Sequence, residues 1–140
     1  MSAEANKSVV LKAFKAIHER DVDSLMSCIH DDVSWLIPYR QDRFVAGGTM
    51  DKAGVEGLMS RVFSGFTQWE FVVTGIIAEG DRVALEALSN GVGPGTATYK
   101  NIYHFAFEMR DGQIYSAKEF FDPFEVLAYQ EQWPSEAHDG

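Results

Sequence analysis

Residues 99–122, YKNIYHFAFEMRDGQIYSAKEFFD, decide the fold of this 140-residue chain. Two alternating segments flank the pair Asp111-Gly112, which is a strong signal for a β-hairpin. Because successive side chains of a strand point to opposite faces, the first strand has one face formed by Tyr99, Asn101, Tyr103, Phe105 and Phe107. The matching face of the second strand is predicted to contain Tyr115, Ala117, Glu119 and Phe121. Together they predict an aromatic wall with a carboxylate and a few polar groups, as in a small-molecule pocket.

The segments before the hairpin predict helices first and then strands. Apolar spacing indicates a helix around residues 10–17, a second after Asp21, and a third with Thr49 as its N-cap. A strand through Trp35 ends near Pro38, and further strands are predicted at 67–79, 82–90, 96–109 and 113–121. A short helix opens at Pro123. This order predicts an α+β domain spanning 1–140, in which three N-terminal helices pack on the concave face of a curved antiparallel sheet and 134–140 form a frayed tail.

The composition is that of a globular protein and excludes several function classes. Hydrophobic residues make up 46% and aromatic residues 13% of the chain. A net charge of −9 disfavours binding to nucleic acid or to anionic membranes. No apolar run approaches the length of a membrane-spanning helix, and the first residues lack a signal-peptide core. The single Cys28 is expected to be buried and inert. We therefore expect a cytoplasmic protein.

Several short motifs occur in an order that resembles a known superfamily. They are ERDVD at 19–23, DDVSW at 31–35, AEGDRVA at 78–84, DGQI at 111–114 and EFFD at 119–122. Together with the order of the elements, they resemble the SnoaL-like branch of the nuclear transport factor 2-like (ketosteroid isomerase-like) superfamily. The resemblance implies a cone-shaped fold over nearly the whole chain. It also implies a homodimer formed through the outer face of the sheet.

The superfamily hosts several activities, and the residues at the matching positions differ in how well they fit. Ketosteroid isomerases need a carboxylate base where this chain has Ile37, and a helix-1 tyrosine where it has Phe14. Limonene-epoxide hydrolases need an arginine and an acid where it has Ala87 and Ser89. SnoaL-like polyketide cyclases need one pocket acid or base, and Glu119 stands at or next to that position.

Glu119 is the candidate catalytic residue. Burial among aromatic neighbours raises the pKa of a carboxyl group toward neutrality, which suits a general acid or base. The competing interpretation is a carboxylate in an ion pair at the sheet edge. Tyr103 and Asn101 are candidate substrate-binding donors on the same face, and the competing interpretation is that they are ordinary cross-strand partners whose polar groups are satisfied within the sheet.

Other candidate substrate-binding residues are either pocket or core residues. Trp35, Met59 and Phe63 are candidate lining residues of the pocket. The competing interpretation is that they belong to the core, because aromatic and Met side chains at strand or helix spacing are more often core residues. Tyr39 and Arg40 lie at the expected mouth of the cone, where Arg40 either meets an anionic substrate group or is solvated. The histidines lack metal-ligand spacing, and the glycine-rich loop at 91–95 lacks the features of a phosphate loop, so no metal and no cofactor are expected.

The preferred hypothesis is a small-molecule enzyme with an apolar pocket. It would carry out cofactor-free cyclisation, isomerisation or dehydration, as an isomerase or lyase of polyketide-cyclase type, on a hydrophobic polycyclic or aromatic substrate. The alternative is a non-catalytic ligand-binding or dimerisation module, and a limonene-epoxide-hydrolase-like enzyme is the third choice. The expected partners are a small hydrophobic molecule and a second copy of the chain, with no nucleic acid and no membrane.

Overall fold

The computed structural model describes residues 2–135, so the end of the predicted tail, 136–140, lies outside the described residues. The elements follow the predicted order of helices and then strands. They are α1 Ala3–Glu19, α2 Val22–Ser27, β1 Ile29–Ile37, β2 Gly48–Met50, α3 Lys52–Ser64, β3 Gln68–Glu79, β4 Arg82–Val92, a 3-10 turn Pro94–Thr96, β5 Thr98–Arg110, β6 Gln113–Phe121 and α4 Pro123–Glu131. None of the helices within residues 2–135 is long and apolar enough to cross a membrane.

The six strands form one curved, open sheet in the order β2-β1-β6-β5-β4-β3. The neighbours pair antiparallel, except for β1 and β6, which run parallel. The α+β prediction is therefore confirmed, and the parallel pair is a feature that the local pattern does not predict. This pair places Trp35 beside Ala117, two residues before Glu119. It thereby brings the first strand next to the hairpin that defines the pocket wall.

The core lies between the first three helices and the inner face of the sheet. In α1 the residues Val10, Phe14 and Ile17 are buried, as their helical spacing predicts. The Phe14 ring lies 4.9 Å from the Phe105 ring and 5.7 Å from the Phe71 ring. Ser2 caps the start of α1 by accepting a hydrogen bond from the Ala5 N–H. The helix is thus fixed across β3 and β5.

Arg20 joins the end of α1 to the end of α3. Its backbone is left-handed, with φ 58°, and its single backbone N–H donates to the carbonyl oxygens of Ala16 and Ile17 in the last turn of α1. Its Nη1 donates to the carbonyl oxygens of Phe63, at 3.1 Å, and Phe66, at 2.6 Å. These two bonds hold the turn after α3 against the end of α1, and Phe66 of this turn forms part of a cavity.

Helix α3 begins later than predicted. Asp51, and not Thr49, is its N-cap, and the Asp51 carboxylate accepts from the Gly54 N–H at 2.8 Å. Thr49 belongs instead to the short strand β2, which pairs with β1 through Leu36. The N-cap prediction was wrong because pairing with β1 keeps residues 48–50 extended. The short helix predicted to open at Pro123 is confirmed as α4, and Asp122 caps it by accepting from the Phe124 N–H at 2.9 Å.

A β-bulge changes one face of the predicted hairpin. Glu108 pairs with Ser116, whereas Met109 pairs with Ile114, so Tyr115 has no partner residue in β5. The Tyr115 ring lies under the Arg110 guanidinium, 3.8 Å away, instead of facing the inner side. The prediction that Tyr115 shares the face of Glu119 was wrong because the extra residue reverses the alternation, and Ile114 is buried in its place.

Candidate functional site

A cavity of about 440 Å³ opens between α3, α4 and the inner face of the sheet. This volume is within the range of small-molecule sites. Most of its wall is apolar, and the apolar side chains that line it include Ile37, Phe71, Phe105 and Phe121. Among residues 2–135, the polar or charged side chains of the lining are few, and they are Arg61, Tyr99, Tyr103, Glu119, Tyr129 and Gln130 together with the indole groups of the tryptophans. The cavity therefore suits an apolar molecule that is oriented by a few polar contacts.

Glu119 lies in the wall of this cavity with only 9% of its surface exposed. It is an inward-facing residue of β6 and pairs with Phe105 of β5. Trp35 Nε1 donates to Glu119 Oε1 at 2.8 Å, and among residues 2–135 no donor reaches the other oxygen, Oε2. Burial raises the pKa of Glu119 from 4.5 to about 7, although the Trp35 hydrogen bond partly lowers it. The carboxyl group is thus able to gain or lose a proton near neutral pH.

A cluster of hydroxyl groups forms a second polar point of the wall. The Tyr103 hydroxyl lies 3.0 Å from Ser89 Oγ and 2.8 Å from the Tyr99 hydroxyl. Burial raises the pKa of Tyr99 to about 12 and the pKa of Tyr103 well above its ordinary value. Both phenols therefore stay protonated at neutral pH and act as hydrogen-bond donors.

Asn101 lies behind this cluster and is not among the described residues that line the cavity. Its Nδ2 donates to the Tyr99 hydroxyl at 2.8 Å and to the Asp122 carbonyl at 3.0 Å. Its Oδ1 accepts from the N–H groups of Ile102, at 2.8 Å, and Asp122, at 3.1 Å. The amide is thus fully used within the protein. It fixes the Tyr99 hydroxyl and the start of α4.

The structure brings some of the predicted site residues together and separates others. Trp35 and Met59 line the cavity, whereas Phe63 is buried in the core. Tyr39 donates its hydroxyl to the Phe121 carbonyl and accepts from the Phe121 N–H at 2.9 Å, so it fixes the end of β6. Arg40 is exposed and forms an ion pair with Asp42. Phe63, Tyr39 and Arg40 do not belong to the described lining of the cavity.

Sequence reasoning missed the aromatic residues that close one end of the cavity. Phe66 stacks on Tyr129 with 5.3 Å between ring centroids, and Tyr129 lies 5.1 Å from Tyr99. Trp133 contacts Tyr129 edge-on at 5.5 Å. The signal was present in part, since Val126, Tyr129 and Trp133 are spaced as one face of a helix. These residues make α4 the closing wall of the site.

Among residues 2–135, Glu119 supplies the only carboxylate that lines the cavity. The positions at which the resemblance places the other groups of an epoxide hydrolase hold Ala87 and Ser89, both of which are buried. Arg61, in the exposed rim of the cavity, is the cation of the described lining, and no sequence signal pointed to it. The chemistry that this site supplies therefore centres on one carboxyl group.

A family model described as a SnoaL-like domain matches residues 10–117 of the chain. The match covers α1 to β6 and includes Trp35, Tyr103 and the aromatic residues of the wall, while it ends two residues before Glu119. No curated protein matches the chain at a significant level.

Solved structures with the same fold have a range of described roles. TerC, crystallised with polyporic acid, is 23% identical with a TM-score of 0.73, covering 91% of this chain and 96% of TerC. IdmH, a putative polyketide cyclase from Streptomyces antibioticus, is 19% identical with a TM-score of 0.75, covering 90% and 98%. An LEH-like epoxide hydrolase from M. tuberculosis is 18% identical with a TM-score of 0.72, covering 91% and 90%. At these identities the likeness establishes the fold alone.

Proposed function

The chain belongs to the SnoaL-like domain family, and from that membership we propose that it is a cofactor-free acid–base enzyme of cyclase, isomerase or dehydratase type. Its substrate is a hydrophobic aromatic or polycyclic molecule held in the cavity, and Glu119 is the group that moves the proton. The observation that carries this proposal is the buried Glu119 carboxyl group. Its pKa of about 7, and its Oε2, which no donor within residues 2–135 reaches, suit proton transfer at the cavity wall.

The proposed step is a proton transfer next to a substrate carbonyl. The Glu119 carboxylate takes a proton from the carbon beside the carbonyl, and the electrons of the C–H bond move onto the carbonyl oxygen as an enolate. The Tyr103 hydroxyl donates a hydrogen bond to that oxygen. Glu119 then returns the proton to a second atom of the substrate. Alternatively, the enolate carbon attacks a second carbonyl carbon, the electrons of that C=O bond move onto its oxygen, and this oxygen takes the proton from Glu119. The protons balance within the substrate and Glu119, so the step needs no cofactor.

The shape and chemistry of the cavity support an apolar ring substrate. About 440 Å³ accommodates a molecule of a few rings, and the aromatic wall favours planar groups. Two structures of the same fold agree with this class, since TerC was crystallised with polyporic acid and IdmH is described as a putative polyketide cyclase.

Exchange of carbon-bound protons with solvent tests the proposal without knowledge of the natural substrate. The probe is 2-tetralone, a bicyclic ketone whose α-protons are acidic, and its deuteration in D2O is followed by NMR. We expect the protein to accelerate the exchange, with a rate that rises through about pH 7, and we expect Glu119→Gln to lose roughly 100-fold or more. Equal rates for the protein and Glu119→Gln, or no acceleration over buffer, would overturn the proposal. Glu86→Gln, an exposed substitution of the same kind on the outer face, is the matched control.

A non-catalytic ligand-binding module is the second candidate, and a specific observation favours it. The hydroxyl groups of Ser89, Tyr99 and Tyr103 already bond to one another. If these bonds persist when the cavity is occupied, no donor turns toward an enolate oxygen. The exchange experiment separates the two functions, because a binding module changes the fluorescence of the wall tryptophans without accelerating exchange. Epoxide hydrolysis has less support, since it needs a second acid.

The proposed macromolecular partner is a second copy of the chain, bound through the outer face of the sheet. Val72, Leu88 and Ile102 form one cross-strand row on that face and are 45%, 47% and 65% exposed. On strands β3 to β6 this face carries four acids and four bases, although the chain as a whole is strongly acidic. They are Glu70, Glu79, Glu86, Glu108, Arg82, Lys100, Arg110 and Lys118. An apolar row within balanced charges favours self-association.

A further inference from the structure

Arg61 lies in the exposed rim of the cavity and belongs to α3. It lines the cavity together with the half-buried side chains of Leu58 and Val62 from the same helix. Across the opening, α4 contributes Val126 and the neutral amide of Gln130. The acidic residues of α4 are not among the described lining. In the part of the rim that residues 2–135 form on α3 and α4, the polar side chains that are not buried are therefore one amide and one guanidinium.

The Arg61 guanidinium has no anionic partner in the described part of the chain. The cations of the described ion pairs are Lys15, His30, Arg40 and Lys52, and none of these pairs includes Arg61. The Arg61 side chain lies along its own helix toward Gly57, where an added Cβ would stand 3.4 Å from its Nη1. Glycine inside a helix is unfavourable, and here it leaves space beside the guanidinium. The charge is thus both available and located at the opening.

The charged groups of the cavity are separated by depth. Glu119 is buried in the wall beside the aromatic residues, and Arg61 is exposed at the rim. The surface between them is mainly apolar. A molecule that fills this space meets proton-transfer and hydroxyl groups at its inner end and a cation at its outer end. Such a site is complementary to an amphiphile with one anionic end.

We infer that the ligand of this cavity is an apolar ring molecule with an anionic group at its solvent-facing end, and that Arg61 selects for that group. The inference rests on the proposed function for the existence of a ligand in the cavity, and it adds the charge and the orientation of that ligand. The chain as a whole carries a net charge of −9, so its overall charge repels an anionic ligand. A guanidinium at the opening offsets that repulsion locally, because carboxylate and sulfonate groups accept its paired N–H donors.

Two fluorescent dyes that differ by one anionic group test this inference. The probes are 8-anilino-1-naphthalenesulfonate and N-phenyl-1-naphthylamine, which has the same rings and no sulfonate. We expect the ratio of sulfonate-dye affinity to neutral-dye affinity to fall roughly tenfold in Arg61→Gln and to recover in part in Arg61→Lys. We also expect added NaCl to weaken sulfonate binding in the wild type and to have less effect in Arg61→Gln.

Arg43→Gln is the matched control, because it removes the same charge from an exposed residue outside the described cavity lining. A ratio that is unchanged in Arg61→Gln, or that falls equally in Arg43→Gln, overturns the inference, and so does a wild type that binds neither dye. The result is independent of proton transfer. If Glu119→Gln abolishes 2-tetralone exchange while Arg61→Gln keeps the dye ratio, the proposed function stands and the inference on Arg61 fails. If Arg61→Gln lowers the dye ratio while Glu119→Gln leaves 2-tetralone exchange unchanged, the inference on Arg61 stands and the proposed function fails.

Discussion

Replacement of Glu119 by glutamine is expected to remove a penalty that the buried carboxyl group places on folding at neutral pH. Burial raises its pKa from 4.5 to about 7. Each pKa unit corresponds to about 1.4 kcal/mol, so the shift corresponds to roughly 3 kcal/mol of folding free energy. Glutamine has a similar volume and keeps an oxygen that can accept from Trp35 Nε1. The variant therefore changes the charge with little change of packing.

The sign of the effect follows from the protons that each state binds. Below pH 4.5 the carboxyl group is protonated in both states and places no penalty on folding. Between pH 4.5 and about 7 the unfolded chain releases the proton while the folded chain retains it, so the stability of the wild type falls. Above about pH 7 the penalty is complete. Relative to the wild type, Glu119→Gln should gain about 3 kcal/mol between pH 4 and pH 8.5.

Urea unfolding of both proteins at half-unit intervals of pH measures this difference. Any constant cost of the buried amide cancels, because only the pH dependence of the difference is compared. Glu86→Gln removes the same charge at an exposed position and reports the effect of charge loss alone. A change with pH in Glu119→Gln that is no larger than in Glu86→Gln would refute the reasoning that links burial of Glu119 to its proton affinity.

Three further substitutions test other parts of the structure. Trp35→Phe removes the donor that lowers the pKa of Glu119, so stability should continue to fall beyond about pH 7 before it levels off; an unchanged upper end of the pH-dependent loss contradicts this. Gly93→Ala places a Cβ 1.9 Å from the Tyr129 hydroxyl and should lower the free energy of unfolding, measured with urea, by about 1–3 kcal/mol. A decrease below about 0.5 kcal/mol would show that α4 moves aside without loss of packing and would contradict this prediction. In analytical ultracentrifugation the wild type should sediment as a dimer and Ile102→Lys as a monomer. A variant that still sediments as a dimer contradicts the proposed interface on the outer face.

The inner wall of the hairpin is predictable from sequence because strand alternation has a fixed period of two. Asn101, Phe105 and Glu119 are all buried, as their positions predict. The N-cap at Asp122 is likewise local, since its carboxylate bonds to a backbone N–H two residues later. The helix–strand order and the resemblance to the family follow from the same short-range signals.

The bulge at Tyr115 and the edge strand at 48–50 show where local patterns end. A single extra residue in β6 reverses the alternation of side chains, and no residue type near that point predicts the bulge. Thr49 has the chemistry of an N-cap, yet β1 pairs with its segment and holds it extended. In both places a neighbouring strand decides the conformation.

The sequence by itself determined the fold class, the family and the aromatic wall with Glu119, because periodicity and capping act within a few residues. The tertiary structure decided the environment of that carboxyl group. Trp35 lies 84 residues before Glu119 and reaches it only through the parallel pairing of β1 with β6. It also decided that Arg61 stands at the cavity rim while Arg40 pairs with Asp42. Burial and proton affinity depend on contacts between distant segments, and those contacts exist only once the sheet and helices have packed.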